Sequence, residues 1–442
     1  MRPLRLIIRA FLLFFLFSLS FLVCQEFLRD KWTEGEYNPT DKIRGFYAME
    51  EDSCDVVICG SSQAYADIAP AVLFRDYGIV SYDFCVNEQP LWLTYYYISE
   101  AIEKQHPKLI VLDVFTVFLD DYETEGVNHF SLDDFPMGLK KLRAIHDSVP
   151  QELRYSYVFP MAKYHTTWDE LYEGKITESF RRDEDVNRGY SPFVFDADYE
   201  EGAKQEVRDQ KECLAIPEKS RTWLLKIMDL CSKNHTELLL IKTPNGNAER
   251  QMLYNSVWEL AKEQGVDYYD MNVLLDGQAH VNVLQAEKIS GLLGEKLKTY
   301  GLKDRRSEEK TRKAWEETVS VFERNHSKNR LLAADNLNRY RSVLEDAGYV
   351  YASYSAGESR GKIGVGKTVL SEGEVMDGST LETKAEDVTV TITENDGIAL
   401  LFDGVDYSMK QDGINIAVYD PVLHEMVDMA AFSEDGTFLG RK

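Results

Sequence analysis

A hydroxyl attacks a carbonyl readily only when a neighbouring imidazole removes its proton, and the imidazole in turn needs a group that fixes its tautomer. This chain carries the ingredients. Residues 55–59 (Asp-Val-Val-Ile-Cys) read as a buried strand, and Gly60-Ser61-Ser62 follows at once, leading into a helix. Far downstream, Asp276 and His280, with Gly277, Gln278 and Ala279 between them, precede another helix. A serine on a strand-to-helix turn plus an Asp/His pair supplies a nucleophile, an orienter and a base. The plain alternative is an ordinary turn in which Ser61 or Ser62 caps the helix.

The elements that would position these residues alternate. Strands are expected at 55–59, Val80 to Phe84, Lys108 to Phe115 and Glu237 to Lys242, with a weaker one from Val266 to Asp270. Amphipathic stretches at 67–76, 91–105, 218–233 and 248–264 fall between them. Continuous apolar strand runs suit a parallel sheet covered on both faces. The pattern therefore predicts a doubly wound α/β sandwich, whose sites form at the carboxyl ends of the strands. The segment 116–217 breaks the rhythm. It is acidic and aromatic, and reads as an insertion over the active-site face that could shape specificity.

Outside this unit, Arg2, Arg5 and Arg9 precede an uncharged run from Ala10 to Cys24. Counted back to Leu6, the stretch approaches the ~20 residues that cross a bilayer. Its basic flank would stay in the cytoplasm, which places the bulk of the chain outside the membrane. An uncleaved anchor is preferred to a signal peptide, because Phe21, Leu22 and Val23 continue the apolar run past Ser18 and Ser20. The expected division is an anchor at 1–30, the α/β domain at 50–302, a helical linker at 303–347 and a small, mostly β domain at 348–442. Runs such as 388–392, 397–402 and 413–419, separated by Gly and Asp, support that last assignment.

Composition narrows the class of function. A net charge of −25 with scattered basic residues argues against nucleic acid, whose phosphates need a concentrated cationic patch. The six cysteines show no CxxC and no metal-ligand spacing, so neither a metal nor a cofactor is implied. Cys213 and Cys231 are a candidate disulfide pair if the domain is exported.

The serine turn, the residues His280-Val281-Asn282, and the block that continues through Gln285, Ala286, Lys288, Ile289 and Ser290 resemble the SGNH (GDSL-type) hydrolases. The anchor, Gln63-Ala64-Tyr65, the Tyr95-Tyr96-Tyr97 helix, Phe159-Pro160 with Tyr164-His165 and Trp168, and Lys242-Thr243-Pro244 are similar to its membrane-anchored extracellular branch. That branch includes the D-alanyl-lipoteichoic acid assembly protein and alginate O-acetylation proteins, and the likeness covers about residues 1–302. It assigns Ser62 as nucleophile, His280 as base and Asp276 as orienter. Substrate or oxyanion contacts would come from Cys85, Asn87, His165 and Asn282. Gln285 stands where that block has glycine, and three further departures stand out. The family's Asp-x-x-His becomes Asp276-x-x-x-His280, the glycine after the second strand is replaced near Cys85, and no Gly-x-Asn follows the third strand.

The resemblance implies an acyl esterase or O-acyltransferase acting on a cell-surface glycan or glycopolymer through an acyl-serine, with a membrane-bound O-acyltransferase as partner. The rival expectation is a non-catalytic scaffold of the same fold that binds such an acyltransferase or glycan. The C-terminal β segment, with Gly413 to Asp420, resembles PANDER-like lectin domains, which implies a carbohydrate-facing module; a stabilising β cap fits those residues equally well.

Overall fold

The structure is a computed structural model that describes residues 2–31, 38–121, 124–170, 173–195, 211–244, 248–271, 280–376, 378–394, 397–409 and 411–442. Among the described residues the chain divides into two units. The first comprises Met1–Ser191, Tyr199–Val281 and Gln285–Thr318; the second comprises Pro192–Asp198, Asn282–Leu284 and Val319–Lys442.

Five parallel strands organise the first unit: β1 (Val56–Cys59), β2 (Ser81–Asp83), β3 (Leu109–Asp113), β4 (Glu237–Lys242) and β5 (Asp267–Asp270). Their spatial order is β2-β1-β3-β4-β5, a doubly wound arrangement in which the sequence order reverses at β1. The strands form where expected because β1 and β3 are buried along their whole length, so both faces need apolar side chains. Register is uninterrupted from Val56 beside Leu109 to Cys59 beside Leu112.

Helices cover both faces. The helix expected after the Ser62 turn is α3 (Ser62–Asp67), and the amphipathic stretch expected at 67–76 is α4 (Pro70–Tyr77), which starts at Pro70 because proline suits a first helical position. The next helix, α5 (Leu91–Gln105), buries Trp92, Leu93, Tyr97 and Ile98. Helices Glu218–Lys233 and Ala248–Gln264 complete the layers.

The helix α2 (Pro39–Ala48) lies ahead of the expected domain start at 50, yet it belongs to the core. Ile43 and Phe46 are fully buried, and Phe46 stacks on Phe84 with ring centroids 3.8 Å apart. Phe84 in turn meets Tyr97 at 4.5 Å, and Tyr97 meets Phe135 at 5.2 Å. Each such aromatic contact adds about 0.5–1.5 kcal/mol beyond the area it buries.

One described helix, α1 (Arg2–Leu28), is long and apolar enough over Ile7–Leu28 to cross a membrane; it is a candidate membrane span or signal sequence. Its apolar body is exposed, but its last turn is built into the unit. Leu28 and Arg29 are buried, and Thr167 donates its hydroxyl to the Leu28 carbonyl at 2.8 Å. The insertion serves two places. Helices within 125–170 pack against α1, α2 and α5, whereas the stretch at 185–191 reaches the ends of the strands.

In the second unit a six-stranded and a four-stranded antiparallel sheet, counted among the described residues, follow the helices Glu309–Leu332 and Leu337–Ala347. The strand Val388–Glu394 alternates buried and half-buried positions, as a strand with one face in the core should. The linker expected at 303–347 is not a separate piece. Trp315 stacks on Phe74 in the first unit, while Leu331 lies in the core of the second.

Candidate functional site

The carboxyl ends of the five strands hold an unusual concentration of buried polar groups, and the Ser62 turn is at their centre. Gly60 ends β1 with φ +149°, a conformation that side-chain-bearing residues rarely adopt. An added Cβ there would lie 2.9 Å from the Asp113 Cβ, so the turn tolerates no other residue without movement. Ser61 is the N-cap of α3, its hydroxyl accepting from the Gln63 N–H at 3.4 Å. Capping is thus done by Ser61, which leaves the Ser62 hydroxyl uncommitted to the helix end. Ser62 is itself buried at the first position of α3.

His280 is brought back to this turn from the far end of the α/β unit. Its Nδ1 lies 3.4 Å from the Gln63 amide nitrogen, across 217 residues of sequence. Burial pushes the imidazole pKa below its ordinary value, which favours the neutral ring that a general base requires. No hydrogen bond joins Ser62 to His280 in this structure. Asp276, the expected orienter, lies outside the described residues. Gln63 therefore faces the ring nitrogen that an orienter would face. Its amide oxygen could accept from Nδ1–H and leave Nε2 free as base, or its NH2 could donate to Nδ1 and fix the opposite tautomer.

The remaining sequence candidates separate. Asn87 belongs to the strand-end cluster: the buried Tyr65 donates its hydroxyl to the Asn87 side-chain oxygen at 3.0 Å. That bond orients the amide so that its NH2 remains as a donor. Tyr65 is itself fixed, with Lys42 Nζ 4.6 Å over its ring and its carbonyl accepting from the Ser191 N–H at 2.8 Å. Cys85 is fully buried, its thiol on the Ile58 carbonyl at 3.4 Å, and burial pushes its pKa well up. Only its backbone could serve chemistry. Thr116, a further donor near β3, is committed to the Gln89 carbonyl at 2.9 Å.

His165 is exposed, and its ring lies 3.3 Å from the Ala162 carbonyl in its own turn. The histidine that the insertion buries is instead His129, stacked on Tyr157 at 3.9 Å and bonded to Asp133 at 2.8 Å. Asn282 falls in the second unit, where its amide donates to the Phe195 carbonyl at 3.1 Å. Cys213 and Cys231 are both free thiols, as are the other four cysteines.

Four polar groups at the strand ends escaped sequence reasoning. Asp67, Asp83 and Asp113 are buried carboxyls, and neither oxygen of Asp83 has a hydrogen-bond partner among the described residues. Burial drives the Asp67 pKa well up, and the neighbouring Asp113 adds to it, only partly offset by the Val281 N–H. Burial likewise pushes Asp113 up to about 7, against hydrogen bonds from the Thr243 and Phe115 backbone and the Thr243 hydroxyl. Lys242 is buried with its ammonium 3.7 Å from Asp270, and burial lowers it to about 8. Carboxyls at 67, 83 and 113 looked like ordinary strand and helix ends in the sequence. Only their burial marks them.

Comparison with known proteins adds little to this geometry. No protein-family model matches the chain, and no curated protein matches it. Two solved structures share low similarity. One is a protein assigned to the G-D-S-L lipolytic family from Desulfitobacterium hafniense DCB-2, at 11% identity and a TM-score of 0.28, covering 55% of this chain and 98% of its own. The other is a protein assigned as an acylhydrolase from Bacteroides fragilis NCTC 9343, at 10% identity and a TM-score of 0.28, covering 60% and 98%. These values are too low to carry function, which must come from the site itself.

Proposed function

We propose that the chain is a membrane-anchored SGNH-type acyl esterase or O-acyltransferase that tailors a cell-surface polysaccharide through an acyl-serine. The observation that carries this reading is the meeting of His280 with the Ser62 turn through Gln63, at 3.4 Å. A capped strand-to-helix turn, a half-buried imidazole with a lowered pKa and an oriented Asn87 amide are what acyl transfer needs. His280 would take the Ser62 proton as the hydroxyl oxygen attacks the acyl carbonyl. The tetrahedral oxyanion would draw on donors such as Asn87, and His280 would return the proton to the leaving oxygen. Water or a sugar hydroxyl, deprotonated by the same imidazole, would then release the acyl group from Ser62.

The glycan substrate and a membrane-bound O-acyltransferase partner rest on the resemblance of residues 1–302. The anchor reading rests on the uncharged run of α1, whose last turn carries Glu26 into an ion cluster with Arg44 and Asp134. The scaffold alternative draws on one observation: no hydrogen bond joins Ser62 to His280, whose Nδ1 lies 3.4 Å from the Gln63 amide.

Incubation of the full-length protein in detergent with a fluorophosphonate probe separates the two readings. One adduct by intact mass, lost in Ser62→Ala and His280→Ala, is the expected result. No adduct on the folded protein would refute a self-sufficient nucleophile and leave the scaffold.

A further inference from the structure

A cavity of about 600 Å³ opens where the last turns of α1 meet the insertion, away from the Ser62 turn in sequence and in lining residues. Leu22, Phe135, Met137 and Val158 form its apolar wall, and Arg29, Arg44, Lys141 and Arg182 bring four cations to it. Two of these are spoken for. Arg29 donates to both Asp134 oxygens at 2.9 Å, and Arg44 contacts Asp134 at 2.8 Å and Glu26 at 3.0 Å.

Among the described residues the other two have no carboxylate partner. Lys141 is 5% exposed, and its ammonium donates to the Asp133 carbonyl oxygen at 3.2 Å. The Asp133 carboxylate is already engaged by His129 and by the Tyr164 hydroxyl, at 2.8 and 2.6 Å. Arg182 donates to the carbonyls of Ser179 and Arg181. A buried ammonium bonded to one neutral acceptor is costly, and an incoming anion would relieve that cost.

The surroundings say where such an anion would come from. Met137, Phe159 and Phe180 are exposed beside α1, with Phe159 6.4 Å from Phe21 and Phe180 5.5 Å from Phe27. Exposed apolar and aromatic side chains around the end of an apolar helix fit the headgroup zone of a bilayer.

We infer that this cavity is a binding site for the anionic headgroup of a membrane phospholipid, held by Lys141 and Arg182 while the acyl chains follow α1. The site rests on the membrane-span reading of α1 and not on the serine chemistry. It gives the unit a fixed, lipid-sealed attachment to the membrane surface.

The test uses the full-length chain in dodecyl maltoside, titrated with phosphatidylglycerol or phosphatidylcholine and read by native mass spectrometry. Phosphatidylglycerol should bind about tenfold more tightly than phosphatidylcholine, and Lys141→Gln and Arg182→Gln should each remove most of that preference. Arg182 is exposed, so its variant should keep the fold even if Lys141→Gln does not. Equal binding of both lipids, or a preference that survives Arg182→Gln, would overturn the site. Displacement of the lipid by inorganic phosphate at comparable concentration would show a free-anion site and overturn the lipid assignment. Failure of the chain to float with phospholipid vesicles would overturn the span reading and this site together, leaving serine labelling as a separate question.

Discussion

Two buried polar clusters in the first unit were built to opposite rules. At the foot of α1, Glu26, Arg29, Arg44, Thr40 and Asp134 are mutually saturated: Asp134 accepts from two guanidiniums and the Thr40 hydroxyl. At the strand ends, Asp83 and Asp113 keep carboxyl oxygens with no hydrogen bond among the described residues, and Lys242 reaches Asp270 at 3.7 Å. A saturated ionic cluster holds geometry, because removing any member strands a buried charge. An under-satisfied one stores cost that a substrate or a proton could relieve, and perturbed groups gather at functional sites for that reason. On the proposed function, the difference separates chemistry at the Ser62 turn from scaffolding at the base of α1.

The largest effect that could break this comparison is on labelling. Ser62→Ala should abolish fluorophosphonate reaction, and His280→Ala should slow it by about a thousandfold, with the melting temperature little changed. Unaltered labelling in either variant would move the nucleophile elsewhere. Next in size, Asp134→Ala should lower stability by about 3–5 kcal/mol in a urea titration, since it leaves the two buried guanidiniums of Arg29 and Arg44 sharing Glu26 alone. A loss below 1 kcal/mol would show that the cluster is not the staple its geometry indicates.

The two clusters should also answer pH with opposite signs. Burial opposes ionisation of Asp134, but Arg29 and Arg44 outweigh it and hold the carboxyl well below its usual range. Its stabilisation is therefore present above the ordinary carboxylate pKa and lost as pH falls below it. Asp113 is the reverse: with its folded pKa near 7, the native state holds a proton that the unfolded state releases near pH 4. Its contribution weakens stability as pH rises from about 4 to 7 and is then constant. Asp113→Asn should remove that slope and raise stability at pH 8 by on the order of 2 kcal/mol. A variant less stable than the parent at pH 8 would mean that the carboxylate is needed ionised.

The smallest predicted effect sharpens the site itself. Gln63→Leu should slow labelling about tenfold if the amide oxygen positions His280, and Gln63→Glu should restore the rate. In the parent, the rate should rise with pH through a midpoint below the ordinary histidine value, as burial of His280 requires. No response to either Gln63 variant would return the positioning role to Asp276.

Much of this was legible in the residues. The five strands fell within a residue or two of their expected places, most clearly β1, β3 and β4, which are continuous apolar runs. Helices Leu91–Gln105, Glu218–Lys233 and Ala248–Gln264 matched their expected ends for the same reason of periodicity. The stretch expected at 67–76 begins instead at Pro70, which starts α4. The place of α2 was less visible, because a ten-residue segment with Lys42 and Arg44 does not look like core. Burial of those cations depends on Asn38 and Ser191 for Lys42, and on Asp134 and Glu26 for Arg44.

By itself the sequence determined the class of fold, the serine turn, the candidate base and the apolar N-terminal helix. Those are local matters: strand and helix periods, a glycine that permits a positive φ, and a run of uncharged residues. Tertiary structure alone decided that Gln63 faces His280, that Asn87 rather than Thr116 keeps a free donor, and that His165 lies in an exposed turn. It also decided which carboxyls are saturated and which are stranded. Those outcomes turn on burial and on partners up to 217 residues apart, and no spacing along the chain encodes the solvent that a side chain loses.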